Sequence, residues 1–119
     1  MRLFLRQKLS MSKHDETVYI KHILEAANKI TILVNRGGRK LYDSDFAVAD
    51  AIVRELLVVG EAAKRLSSQT KLKYNAIPWK DVIGMRNWLV HGYSEIDWDR
   101  VWNTAIKDIP HVIFVLSKK

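Results

Sequence analysis

AVADAIVRELLVVGEAAKRL, residues 47–66, decides the fold. Ala49, Ile52, Val53, Leu56, Gly60, Ala63 and Leu66 recur at the three- and four-residue spacing of one helix face. Val48, Ala51, Val58, Val59 and Ala62 fill in around that stripe. The helix is apolar over most of its circumference, which predicts a central place with neighbours on more than one side. It should begin near Ser44.

Upstream, Asp15 is a good N-cap for a first helix. Ile20, Ile23, Leu24, Ala27, Ile30 and Val34 form its stripe, and Gly37-Gly38 stops it. Downstream, residues 67–77 (SSQTKLKYNAI) read as a loop. Pro78 marks entry to a shorter helix that runs to about His91 and meets Gly92. Asp97 can cap a fourth helix, with Trp98, Val101, Trp102, Ala105, Ile109 and Ile113 on one face. Pro110 falls inside that pattern, so it should kink the helix or end its first half. No segment shows strong period-two alternation and there are no repeats. The expected fold is all-α: an antiparallel bundle of four to five helices with short connections.

The chain has 119 residues, which fits one domain with a modest core. The 48% hydrophobic content indicates a globular chain rather than a disordered one. The absence of cysteine excludes disulfides and Cys-based zinc sites, and points to a reducing, cytoplasmic setting. No apolar run reaches the roughly 18 residues of a membrane span, so no membrane partner is expected. The formal net charge is +7. Arg2, Arg6 and Lys8 lie in the first ten residues, and starting at Met11 leaves 17 Lys and Arg against 13 Asp and Glu, or +4. A basic surface attracts polyanions such as RNA, though +4 alone is ordinary. Residues 1–10 (MRLFLRQKLS) have too short an apolar part for a signal sequence, and no small-residue cleavage site follows. They read as an N-terminal extension ahead of a helical domain over 11–119.

The helix after Pro78 carries the informative residues. On an ideal wheel with Trp79 at zero, Val82, Ile83, Leu89 and Val90 form one apolar face, and Arg86 falls in its middle at about 340°. A guanidinium placed there needs an anion or several acceptors. That requirement fits a bound phosphate, and equally a carboxylate of a neighbouring helix. Asn87 and His91, at about 80° and 120°, are neighbours on another face. Gly84, at about 140°, leaves that face bare, so another helix or a substrate can approach closely. His91 near a helix C-terminus is also a favourable dipole partner with no further role. Arg86 and His91 are about 140° apart, so one ideal helix does not bring them together.

The segment IPWKDVIGMRNWLVHGYSEIDWDRVW, residues 77–102, resembles the HepT-like branch of the HEPN superfamily. That family's motif is Arg, four residues, His, any residue, Tyr, and here it reads Arg86, Asn-Trp-Leu-Val, His91, Gly92, Tyr93. RELLVVGEAAKRLS, residues 54–67, looks like the family's central helix. The likeness covers about residues 15–117, and the N-terminal extension is the departure from the family pattern. The resemblance implies a HEPN-like homodimer with the Arg-x4-His motifs of both subunits along one interface cleft. It also implies the toxin of a type VII toxin–antitoxin system, a metal-independent ribonuclease needing no cofactor. The antitoxin would be MntA, a minimal nucleotidyltransferase that transfers AMP to the motif tyrosine, here Tyr93.

RNA carries its own nucleophile, the 2′-OH. Cleavage needs a base for that hydroxyl, charge stabilisation on the phosphorane and an acid for the leaving 5′-oxygen. His91 suits the acid or base role. Arg86 suits phosphate binding, and Asn87 can orient His91 or bond the phosphate. His14, His22, His91 and His111 show no metal-ligand spacing. Tyr93 is otherwise a packing aromatic. Glu61 with Lys64 or Arg65 reads as an ordinary surface pair, and Gly60 as a point of close helix packing. Trp79, Trp98 and Trp102 read as core or interface, and Trp88 as a contact for a partner. The rivals are a non-catalytic HEPN partner of a nucleotidyltransferase and a purely structural helical dimer. The latter predicts that an internal carboxylate neutralises Arg86.

Overall fold

The computed structural model describes residues 16–91 and 95–118, and the side chains of all of these but Val90 and His91. The expected extension over residues 1–10 and the expected cap Asp15 lie outside the described residues. Among the described residues six α-helices follow one another: α1 (Glu16–Ser44), α2 (Phe46–Lys64), α3 (Ser68–Lys73), α4 (Trp79–His91), α5 (Trp98–Asn103) and α6 (Ile109–Ser117). A π-helical turn, Thr104–Asp108, joins the last two. There is no strand among the described residues, so the fold is all-α, as expected.

The central place of α2 follows from its all-round apolarity. It packs against α1 on one side and α4 on another. It buries Val48, Ala49, Ile52, Leu56, Val59, Gly60, Ala62 and Ala63. Ile52 and Leu56 are fully enclosed, each stabilising by about 1.5–3 kcal/mol relative to exposure. Asp45 caps the helix, its carboxylate accepting from the Ala47 N–H at 3.0 Å.

The first helix is broken where Gly37-Gly38 foretold. Gly38 adopts φ 62°, ψ −158°, a left-handed backbone that disfavours any residue with a Cβ. The helix resumes, and Tyr42 is buried against Trp102, ring centroids 5.0 Å apart. Burial raises the Tyr42 phenol to about 12, and its hydroxyl donates to the Trp98 carbonyl at 2.8 Å.

One expectation needs correction. Residues 67–77 are not wholly a loop: α3 forms there with Ser67 as N-cap. This helix buries no residue, so it had no apolar period to betray it. Of the two places read for Trp98, core or interface, the core is excluded, since Trp98 is 40% exposed at the start of α5. Trp79 and Trp102 are buried as expected. Pro110 has the predicted consequence. The π turn lets the Ile109 N–H reach the Thr104 carbonyl five residues back, and α6 restarts with proline in its first turn, where its missing N–H does least harm.

Candidate functional site

The start of α4 is anchored by its first residue. Buried Trp79 donates its indole N–H to the carbonyls of Lys71 and Tyr74, both at 3.1 Å. Pro78 supplies the carbonyl that accepts the Asp81 and Val82 N–H groups. Met85 and Leu89 then turn into the core. The apolar face thus includes Met85, which the wheel had not placed on it.

The same geometry brings Arg86 against α2. At Gly60 an added Cβ would stand 2.4 Å from the Arg86 Cβ, closer than real side chains approach. The two helices therefore cross at Gly60, as the sequence suggested. Glu61, the next residue, faces the same crossing. Its carboxylate accepts a short hydrogen bond from Arg86 Nε. The sequence reads Glu61 as a surface partner of Lys64 or Arg65; in the structure its ion pair is with Arg86 instead. The missed signal was its position, a carboxylate beside the glycine of the central helix.

Arg86 is thus neither free nor sealed. Its side chain is 24% exposed and that of Glu61 42%. Arg86 Nη1 also donates to Asn87 Oδ1 at 3.2 Å. Glu61 and Asn87 together hold the fork, and its partial exposure leaves room for an oxyanion to approach from outside. This network joins two of the residues singled out from sequence, Arg86 and Asn87.

His91 is the last residue of α4; its side chain, and Tyr93 altogether, lie outside the described residues. Gly84 belongs to the Asn87–His91 flank, and nothing stands within 4 Å of where its Cβ would be. Trp88 carries the Arg100 guanidinium over its ring at 4.2 Å. It borders a cleft of about 600 Å³ with Met85, Lys107 and His111. That cleft, larger than the other concavities described here, includes neither Arg86 nor Asn87. Among the described residues no group of three or more His, Asp or Glu could hold a metal ion, and no helix is long and apolar enough to cross a membrane.

Comparison with known proteins meets this geometry with a name. The family model described as "Ribonuclease HepT-like" matches residues 23–118. The chain is 34% identical over 102 residues to "Putative RNase MJ1216" of Methanocaldococcus jannaschii, spanning 86% of this chain and 84% of that protein. It is 32% identical over 94 residues to "Putative RNase TTE0752" of Caldanaerobacter subterraneus subsp. tengcongensis, spanning 79% and 84%. It is 30% identical over 102 residues to "Probable ribonuclease HepT" of Thermococcus cleftensis, spanning 82% and 89%. No solved structure matches significantly. The family match takes in the central helix, the Gly60 crossing and the whole RNWLVHGY stretch, and the chain belongs to the ribonuclease HepT-like family.

Proposed function

We propose that this protein is the ribonuclease toxin of a type VII toxin–antitoxin pair, with Arg86, Asn87 and His91 acting on an RNA phosphate. The observation that carries the reading is the half-buried Arg86, held by Glu61 yet still partly exposed, in a chain whose relatives bear ribonuclease names. Arg86 binds the scissile phosphate and stabilises the extra charge of the phosphorane. His91 takes the proton of the 2′-OH as that oxygen attacks phosphorus, or returns a proton to the departing 5′-oxygen. A homodimer would bring two histidines to one cleft, one for each proton transfer, and so remove the need for Arg86 and His91 to meet on one helix. Open space at Gly84 favours such an outside approach.

Tyr93 would be the off-switch. An MntA-type nucleotidyltransferase would transfer AMP to its hydroxyl, and the added phosphate would compete for the arginine. The test is RNA cleavage by purified protein, with Arg86→Ala and His91→Ala as controls. Cleavage that survives both substitutions refutes the assignment. Co-expression with a cognate MntA-type nucleotidyltransferase should add the mass of AMP to Tyr93. Neutralisation with an unmodified Tyr93 would refute that route.

One observation favours a second reading. The Glu61 carboxylate on Arg86 is what a purely structural role for the arginine requires. That reading expects Arg86→Ala to lower stability without any RNA cleavage to lose.

A further inference from the structure

A groove of about 430 Å³ runs between α1 and α2, and Glu61 is part of its lining. Its floor is apolar, made by Leu57, Val58 and Ala62. Val58 is 38% exposed, unusual for a valine of the central helix. Tyr19 and His22 form one wall, their rings edge to face with centroids 6.4 Å apart. Arg54 and Arg65 stand at the rim. They sit seven residues before and four after Glu61, on the same strip of helix surface.

The charge balance of this groove is one-sided. Among the described residues, neither Arg54 nor Arg65 has a carboxylate within ion-pair distance. Arg65 instead lies over the Tyr19 ring, 6.0 Å from its centroid. Among the described residues Glu61 is the single carboxylate lining the groove, and Arg86 already engages it. Two guanidinium groups without an ion-pair partner among the described residues therefore flank an apolar floor with aromatic edges. Eleven residues of helix separate them, about 16 Å along the axis, so they address the two ends of an elongated anion. An aromatic and apolar floor between cationic rims is how proteins hold single-stranded nucleic acid without reading its sequence.

We propose that this groove holds a stretch of single-stranded RNA flanking the phosphate at Arg86. A base lies on Leu57 and Val58 against Tyr19, and backbone phosphates pair with Arg54 and Arg65. The Glu61–Arg86 pair joins groove to site, since Glu61 lines one and binds the other. The proposal rests on the ribonuclease reading and adds to it a path for the substrate and residues that set affinity rather than chemistry.

The test is binding of a fluorescent single-stranded RNA dodecamer, 2′-O-methylated throughout so that no attacking hydroxyl is present. Fluorescence anisotropy with the full chain is read between 50 and 200 mM salt. The expected result for Arg54→Ala/Arg65→Ala is weaker binding and a salt slope smaller by about 1.4, two single-strand phosphates at roughly 0.7 each. Tyr19→Leu should weaken binding about five-fold or more with the slope unchanged, the signature of lost stacking. Lys40→Ala, outside the groove, should leave both unaltered. Unchanged affinity and slope in the double variant overturn the groove. If Arg86→Ala still abolishes cleavage of ordinary RNA in that case, the ribonuclease reading stands without it. A double variant that turns a dimer into a monomer while binding RNA normally also overturns it, because the groove is then covered by a second copy of the chain.

Discussion

Arg86 of α4 and Glu61 of α2 share a hydrogen-bonded ion pair at a helix crossing that only the missing side chain of Gly60 permits. The arginine side chain stays partly exposed beside the pair, so Glu61 steers the guanidinium as well as neutralising it. Glu61→Gln keeps the shape of the acceptor and removes its charge. The expected outcome is a fall in kcat of about ten-fold, or about 1.4 kcal/mol of barrier, with the fold intact by circular dichroism. Arg86→Ala should cost on the order of a hundred-fold or more, the usual scale for loss of an oxyanion donor. Faster cleavage by the Gln variant would instead make Glu61 a competitor of the substrate phosphate.

Gly60→Ala sets two effects against each other. Alanine is the better helix former by about 1 kcal/mol. Its Cβ would stand 2.4 Å from the Arg86 Cβ, and such overpacking costs roughly 1–3 kcal/mol. The clash involves side-chain roots close to both backbones, which cannot swing aside, so the second effect wins. Urea denaturation should show a net loss of about 1 kcal/mol. Cleavage should fall further than that loss explains, because α4 must shift where Arg86 departs from it. A more stable variant would mean a looser crossing than the one described.

A pH dependence follows from the start of the first helix. Glu16, at the start of α1, accepts the Ser67 N–H at 2.6 Å. That backbone hydrogen bond, ahead of the opposing desolvation, holds its carboxyl below the usual glutamate range. A carboxylate with a depressed folded pKa stabilises the native state above its unfolded pKa, near 4.3, and loses that contribution as pH falls through the folded value. Glu16→Gln should therefore lower Tm at pH 7 by a few degrees, in line with about 1 kcal/mol for a partly exposed charged hydrogen bond. The gap between variant and wild type should close as pH drops below about 4. A constant gap across that range would place the effect in packing instead.

The long helices were readable because each buries a stripe. Ile23, Ala27 and Ile30 on α1, and Ile52, Leu56 and Ala63 on α2, are buried where their spacing put them. The short helix α3 was hidden because burial imposes no pattern on it. Pro110 announced a disturbance, but its form as a wide π turn depends on which carbonyl the Ile109 N–H can reach. At the site, the need of Arg86 for an anion was legible from its place on an apolar face. Which anion was not, because the angle at which α2 and α4 cross decides that Glu61 meets it. Gly60 carried half of this information, since a glycine inside a helix that is otherwise packed marks where a neighbour comes closest.

Gly84 poses the same question with the opposite answer. A glycine inside a helix costs about 1 kcal/mol relative to alanine. Gly60 offsets that cost by admitting α4, whereas among the described residues nothing within 4 Å of Gly84 would meet a new Cβ. The described residues give Gly84 no reason to lack a side chain, which fits an approach from outside on the flank of α4 that Asn87 shares. Gly84→Ala should stabilise the isolated chain by up to about 1 kcal/mol, raising Tm by roughly 4 °C. The same substitution should weaken self-association or RNA cleavage by at least about ten-fold, since a methyl group would then stand where a second copy or the RNA backbone approaches. Stability is measured by thermal melting, and association by sedimentation equilibrium beside the cleavage assay. A rise in Tm with association and cleavage both unchanged would show that no outside body uses this face, and the composite cleft would lose its support at Gly84.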